Sequence, residues 1–203
     1  MKFSIFNCKI RVSFLFVALI TGSIILDSSA SLFWGILAAL VHELGHIFAM
    51  IFEGDRPSEI KFNLFDIAIV DNKREKRSYC KDIFILSAGP IVNIVFFAVF
   101  YGLFLWVKWD DLYGFAIQNL LLGGFNTLPI ESLDGGQILY ILFLKKLNHK
   151  KAQLLVQIIS FLILLPLAIL GFLILLQSRY NFSLLMVSLY LMAIILIKRG
   201  NFI

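Results

Sequence analysis

Long apolar stretches alternate with short polar connectors along this chain. About six are long enough, or nearly so, to cross about 30 Å of hydrocarbon as helices rising about 1.5 Å per residue. They lie at roughly Val12–Leu26, Leu32–Phe52, Ile83–Val107, Leu112–Leu128 with a broken continuation to Leu144, Leu154–Leu176 and Phe182–Ile197. The pattern predicts an all-α polytopic membrane protein with about six transmembrane helices.

One connector, Glu53–Asp82, is longer than the others and has a different pattern. Its part Glu59–Val70 is rich in Ile, Phe and Val, and Ile60, Phe62 and Leu64 alternate with polar residues. Alternation with a period of two is typical of a strand. We therefore expect a short membrane-associated β segment, a strand or hairpin, between the second and third helices. An interfacial amphipathic segment without a role in substrate binding is the alternative.

Composition supports the membrane assignment. Hydrophobic residues make up 60% of the 203 residues and charged residues 15%, and the mean hydropathy is +0.91. A soluble domain does not need that much apolar surface. The short connectors leave room for a single membrane domain over residues 1–203. Cys8 and Cys80 form no metal-binding pattern, and we expect both to be free thiols.

The basic residues are distributed unevenly among the connectors. All of the 18 lysines and arginines except Lys108 and Arg179 fall before the first segment, after the second, after the broken fourth or after the sixth. Such an excess marks the cytoplasmic side of a membrane protein, so both termini and both cysteines are predicted to be cytoplasmic. The net charge of +5 is thus explained by orientation, and no nucleic-acid partner is expected.

The first segment has an alternative interpretation. Lys2, Lys9 and Arg11, an apolar core and then Ser28-Ser29-Ala30 resemble a signal peptide with a cleavage site. Another membrane segment begins at once, which favours an uncleaved first helix. Cleavage would leave the orientation of the later segments unchanged.

A motif that carries chemistry lies inside the second apolar segment. His42-Glu43-Leu44-Gly45-His46 reads H-E-x-x-H, and positions four apart on a helix share one face. Both imidazoles can therefore reach one metal ion, and Glu43 can take a proton from a water that the metal activates. The alternative is a pair of buried polar side chains that bond neighbouring helices.

Asp134 is the best candidate for a third ligand. Asp134 follows a polar interruption in which Pro129 cannot continue a regular helix. Directly after Asp134, Gly135-Gly136 permits close backbone approach. Irregular backbone at membrane depth occurs only where it is buried in protein or lines a wet cavity. We expect Asp134 near the N-terminus of the next half-helix, where negative charge is favoured. His149 is expected to be a solvated loop residue instead.

The two candidate positions agree in depth. His46 lies eight residues before Gly54, or about 12 Å from the cytoplasmic end of its helix. Asp134 lies eleven residues before Lys145, or about 16 Å from that end. Both belong to the cytoplasmic half of the bilayer.

These motifs resemble those of the site-2 protease family of intramembrane zinc metalloproteases, in particular the branch typified by stage IV sporulation protein FB. The resemblance rests on H-E-L-G-H, on N-x-L-P-x-x-x-L-D-G-G at Asn126–Gly136, and on the small-residue segment Ser87–Asn93. It covers a catalytic core of about Leu32 to Leu144. We do not expect a counterpart of that branch's nucleotide-sensing domain or of a PDZ domain, so nucleotide regulation is not implied.

The resemblance implies a ligand set and a reaction. His42, His46 and Asp134 would bind one zinc ion per chain, Glu43 would be the catalytic acid/base, and Asn126 and Asn93 are candidates for contacting substrate. The expected reaction is hydrolysis of a peptide bond in or near a transmembrane segment of a membrane-associated protein, including regulated proteolysis of a transcription-factor precursor. The bacterial cell membrane is the expected location, and a regulatory membrane protein is a candidate partner.

Two other functions fit a polytopic chain with polar residues inside its helices. One is a catalytically inactive membrane adaptor, which the complete set of expected catalytic residues disfavours. The other is a small transporter with an ion pathway at the broken fourth segment. The intact H-E-x-x-H motif and the lack of an internal sequence repeat disfavour it.

Overall fold

A computed structural model of the chain describes residues 2–5, 8–14, 17, 21–22, 31–55, 57, 59–62, 67–70, 77–178 and 183–200. The chain forms two compact units, Met1–Phe125 and Asn126–Ile203. The first predicted membrane segment, Val12–Leu26, falls mainly outside the described residues. The helices and strands are β1 (Lys2–Ile5), β2 (Cys8–Val12), α1 (Ser31–Phe52), β3 (Glu59–Phe62), β4 (Ile67–Val70), α2 (Tyr79–Val107), α3 (Asp110–Asn126), α4 (Asp134–Leu144), α5 (His149–Ser178) and α6 (Ser183–Gly200).

The described helices include three that are long and apolar enough to cross a membrane. These are α1, α2 and the His149–Gln177 part of α5, and two shorter apolar helices lie at Asp134–Leu144 and Ser183–Ile197. Large apolar side chains on them point outward, among them Phe52 with 82% and Trp106 with 86% of its surface exposed. Lipid is the solvent that such surfaces require. The prediction of a helical polytopic membrane protein is confirmed.

The β segment is a four-stranded sheet with the order β1-β2-β3-β4. The expected β structure in Glu59–Val70 is the antiparallel hairpin β3–β4. The sheet is larger than expected, because β1 and β2 form a second hairpin whose strand β2 pairs with β3 in parallel. The sequence interpretation treated Lys9 and Arg11 only as charges flanking a helix and missed their alternation with Ile10 and Val12. Arg11 also forms an ion pair with Glu59 across the parallel pair.

In the first unit, α1 and α2 approach closely through small residues. A methyl group added to Gly45 would lie 2.9 Å from the carbonyl oxygen of Ala88, so only glycine fits at this crossing. Small residues at a helix crossing are typical of membrane proteins, where close backbone approach replaces the hydrophobic effect. Beside this contact Ala49, Met50 and Ile85 form a buried apolar cluster. The crossing brings the histidine face of α1 against α2.

Charged residues tie the end of α1 to the start of α2. Gly54 adopts a left-handed conformation, with φ of 79°, that ends α1. Arg77 then binds Asp55 at 2.8 Å and Asp82 at 3.2 Å, and only 4% of its side chain is exposed. A guanidinium that is buried between two carboxylates fixes both chain segments because leaving either charge unpaired would be costly. The ion pairs hold the two helix ends in register.

In the second unit, an irregular segment precedes α4 and contacts α5. The Glu131 N–H donates to Ser160 Oγ at 2.8 Å, and Ser160 in turn donates to the Val156 carbonyl at 2.7 Å. Ile130 is fully buried. Farther along, Gly171 of α5 lets the backbone of α6 approach at Leu185. The segment before α4 is therefore ordered by packing and hydrogen bonds within its own unit.

Candidate metal centre

His42 and His46 lie one turn apart on α1 and face α2. Both are buried, with 5% and 8% of their surface exposed. Their rings meet edge to face, with centroids 4.8 Å apart and an interplanar angle of 86°. The helix therefore places both imidazoles on one side, as the spacing of four residues predicts.

Each imidazole is held by a hydrogen bond from its Nδ1 to an oxygen on α2. His42 Nδ1 lies 2.6 Å from Oδ1 of Asn93, and His46 Nδ1 lies 2.8 Å from the carbonyl oxygen of Ile85. A carbonyl oxygen can only accept, so the proton of each ring is on Nδ1. Metal-binding histidines are characteristically oriented by such a bond at the nitrogen that does not bind the metal.

The two Nε2 atoms face each other at 3.2 Å. That separation is within hydrogen-bond distance, but neither atom has a proton to donate when both protons are on Nδ1. Two nitrogens bonded at about 2.0–2.1 Å to a tetrahedral zinc ion lie about 3.3 Å apart. The two Nε2 atoms are therefore separated by the distance that binding of one shared cation requires.

Gly89 of α2 makes room for both rings. A methyl group at this position would lie 2.5 Å from His46 Nε2 and 2.8 Å from His42 Cε1. Real side-chain carbons do not approach so closely, so any residue other than glycine would displace the imidazoles. The backbone of α2 thus forms one wall of the histidine pair.

Asn93 belongs to a buried chain of amides behind His42. Its Nδ2 donates to the Ala38 carbonyl at 3.1 Å and to Oδ1 of Asn119 at 2.8 Å. Asn119 Nδ2 donates to the Phe115 carbonyl at 2.9 Å. Asn93 and Asn119 are both completely buried. The role of Asn93 as a substrate contact stays a prediction, since the contacts it makes here are with His42, with Asn119 and with the backbone of Ala38.

Asp134, the predicted third ligand, is in the second unit and is the first residue of α4. The helix break and the position of Asp134 at the start of the next helix are as the sequence predicts. Gly135 and Gly136 are needed here, because an added methyl group would clash with the carbonyl oxygens of Thr127 and Ile130. The irregular segment thus folds back on the first turn of α4, where a carboxylate is favoured by the helix dipole.

The remaining predicted residues lie on the same two units. Glu43 follows His42 on α1 and is partly exposed, and Asn126 is the last residue of α3. His149 is exposed as expected, but it is the first residue of α5 and not a loop residue. Its Nδ1 lies 3.0 Å from the hydroxyl of Tyr140. The structure thus brings His42 and His46 together and gives His149 a partner at the surface. The complete ligand and substrate set stays a prediction.

Curated proteins are similar to this chain in sequence. A zinc metalloprotease of Methanocaldococcus jannaschii is 29% identical over 160 residues, which are 71% of this chain and 44% of that protein. Stage IV sporulation protein FB of Bacillus subtilis is 30% identical over 120 residues, which are 58% of this chain and 42% of that protein. The chain spans less than half the length of these two curated relatives. No protein-family model matches it.

A solved structure extends the match to nearly the whole chain. The site-2 protease from Methanocaldococcus jannaschii superimposes with a TM-score of 0.68 and 26% identity over 95% of this chain and 91% of that one. The chain, with its apolar helices and its histidine pair, is thus similar in sequence to a zinc metalloprotease and in fold to a site-2 protease. The resemblance to the site-2 protease family that the motifs indicate is confirmed.

Sequence reasoning missed one polar residue next to the site. Asn119 lies within the apolar segment Leu112–Leu128 and was given no role. The signal was present, since an amide inside a membrane helix usually finds a polar partner on a neighbouring helix. Nothing in the sequence, however, indicates that its partner is Asn93.

Proposed function

We propose that the chain is a zinc metalloendopeptidase that hydrolyses a peptide bond in or near a transmembrane segment of a membrane-associated protein. The observation that carries the proposal is the histidine pair on α1. Its two Nε2 lone pairs face each other at 3.2 Å, while both Nδ1 atoms are engaged by acceptors on α2. Two imidazoles are costly to bury in a membrane helix, and a shared cation would stabilise them there.

Asp134 is proposed as the third ligand of one zinc ion per chain. Two imidazoles and one carboxylate are a donor set that could hold a metal ion, and three protein ligands leave a coordination position open for catalysis. Asp134 is buried, with 8% of its surface exposed. A metal ion would stabilise a buried carboxylate at membrane depth.

Glu43 is proposed as the general base and then the general acid. Zinc, when bound, supplies a Lewis acid that polarises a water molecule and the scissile carbonyl. Glu43 follows a ligand on the same helix, so its carboxylate can take the proton of that water and deliver it to the leaving amine. Asn126, at the end of α3, is proposed to contact the substrate carbonyl, and Asn93 remains a second candidate for substrate contact.

The sheet suggests how a substrate is held. A transmembrane helix hides its peptide bonds in its own hydrogen bonds, so cleavage requires local unwinding into an extended strand. Strand β3 is paired on both sides, whereas β4 is an outer strand of the sheet. We propose that the unwound substrate adds to β4, because a sheet edge offers backbone partners to an extended peptide. Substrates are proposed to include a transcription-factor precursor, with a regulatory membrane protein as a second partner.

The test of the proposed function combines a cleavage assay with metal analysis. Glu43→Gln keeps the shape of the side chain but removes the base, so we expect cleavage to fall by about 10²–10⁴-fold with zinc content unchanged. Purified wild type is expected to hold one zinc ion per chain. Equal cleavage by wild type and Glu43→Gln would contradict the catalytic assignment. An inactive adaptor would show no cleavage in either protein, and a transporter would move ions without cleaving.

We further propose that the chain lies in a bacterial cell membrane with both termini in the cytoplasm. Cys80 is exposed in the first turn of α2 and is a free thiol. In a Cys8→Ser background, an impermeant maleimide is expected to label Cys80 in inside-out vesicles but not in right-side-out vesicles. The matched control is Lys108→Cys in a cysteine-free background, beyond the other end of α2, which should label with the opposite preference. Labelling of Cys80 in right-side-out vesicles would contradict the proposed orientation.

A further inference from the structure

Two asparagines form a directional chain that ends on His42. The carbonyl oxygens of Phe115 and Ala38 can only accept hydrogen bonds, so the amide nitrogens of Asn119 and Asn93 must face them. The hydrogen-bond partners alone therefore decide which terminal atom of each amide is the nitrogen and which is the oxygen. Asn119 Oδ1 then accepts from Asn93, and Asn93 Oδ1 is left facing His42.

The chain leaves His42 with one tautomer. Both N–H groups of Asn93 are used, so only its oxygen is available at 2.6 Å from His42 Nδ1. The oxygen requires the ring proton on Nδ1, which makes Nε2 the lone-pair atom directed at His46. With the opposite tautomer, Nδ1 and Asn93 Oδ1 would be two facing acceptors in a fully buried place, an arrangement that is costly.

We propose that Asn119 and Asn93 are positioning residues that fix the tautomer and ring orientation of His42 from α2 and α3. This inference rests on the proposed zinc site, but it concerns the metal-free chain as well. Asn119 reaches neither histidine and acts only through Asn93. Gly123 supports the same contact, since an added methyl group would lie 2.9 Å from Asn93 Cβ, whereas nothing lies within 4 Å of one on Gly124.

The primary test reads the tautomer directly. The chain has only three histidines, so ¹⁵N-histidine labelling of the metal-free protein in bilayers gives three ring-nitrogen signal pairs. We expect His42 to show a protonated Nδ1 in wild type and a mixture of tautomers in Asn93→Leu and Asn119→Leu. Gln118→Leu is the matched control, because Gln118 is on the same helix but bonds Ser31. It should leave His42 unchanged.

Zinc affinity is the second readout. Loss of the partner of a histidine ligand typically weakens metal binding by about 10–100-fold, which is the effect expected for Asn93→Leu. Asn119→Leu should weaken zinc binding less, because it leaves the contact between Asn93 and His42 in place. Gly123→Ala should weaken binding while Gly124→Ala does not.

Several outcomes would overturn the proposal. One is that His42 keeps its wild-type tautomer in Asn93→Leu. Another is that the leucine variants have a lower melting temperature while the tautomer of His42 and the zinc affinity are unchanged, because that result indicates a purely structural role. If Asn93→Leu does not fold, a wild-type His42 tautomer together with wild-type zinc affinity in Asn119→Leu would contradict it as well. Failure of the proposed function can be distinguished from failure of this inference. In the first case wild type would bind no zinc and cleave no substrate, while the tautomer of His42 would still report on the two amides.

Discussion

Gly89→Ala is expected to abolish zinc binding and peptide cleavage together. The added methyl group would lie 2.5 Å from His46 Nε2 and 2.8 Å from His42 Cε1, so both rings must rotate away or α2 must move from α1. Either movement separates the Nε2 atoms from the positions that one ion requires. Misplacement of a reacting group by about 1 Å can cost on the order of 10²-fold in rate, and here two metal ligands are misplaced at once.

The control for this prediction is on the same helix. Gly102→Ala introduces the same methyl group where nothing lies within 4 Å. Zinc content, measured on protein purified in detergent, and cleavage by that protein should equal those of wild type. Equal zinc content in Gly89→Ala and Gly102→Ala would show that the histidine pair does not depend on the backbone of α2.

Asp134→Ala is expected to have an effect of similar size by a different route. It removes the proposed third ligand and leaves two imidazoles, a set from which zinc dissociates readily. We expect zinc affinity to fall by at least about 100-fold, in line with loss of a direct ligand rather than a supporting bond. Cleavage should become undetectable. Membrane insertion should be unaffected, because removing a carboxylate from an apolar region lowers the cost of insertion.

His149→Ala is the matched control for Asp134→Ala. His149 is the only other histidine, and it is exposed and bonded to Tyr140. Its removal should leave zinc content and cleavage close to those of wild type. Retention of zinc by Asp134→Ala, or its loss in His149→Ala, would contradict the ligand set.

A shared ligand set also predicts how the two active-site variants differ from Glu43→Gln. That variant is expected to keep its zinc and lose the proton transfer, whereas Gly89→Ala and Asp134→Ala lose the metal itself. Zinc content and cleavage measured side by side on the three variants therefore separate the role of the base from the role of the ligands. Identical zinc content in all three would contradict the assignment of Asp134.

The sequence by itself determined the features that depend on local chemistry. Apolar length predicts membrane helices because the hydrocarbon thickness fixes how many residues must be apolar. The spacing of His42 and His46 predicts a shared face because a helix turns every 3.6 residues. Pro129 and the two glycines predict the break before Asp134, since proline lacks an N–H and glycine lacks a side chain. The alternation in Glu59–Val70 predicts the hairpin.

Only the tertiary structure decided which groups meet across the sequence. The Ile85 carbonyl holds His46 although no side chain marks it, and Asn93 meets both His42 and Asn119 from other helices. The hairpin of β1 and β2 joins the sheet through β2, which pairs with β3 some 50 residues along the chain. The contacts of His42 and His46 with α2 depend on how closely α1 and α2 approach, and that approach requires the absence of side chains at Gly45 and Gly89. A single sequence does not specify that approach, because helix packing is a property of two surfaces together.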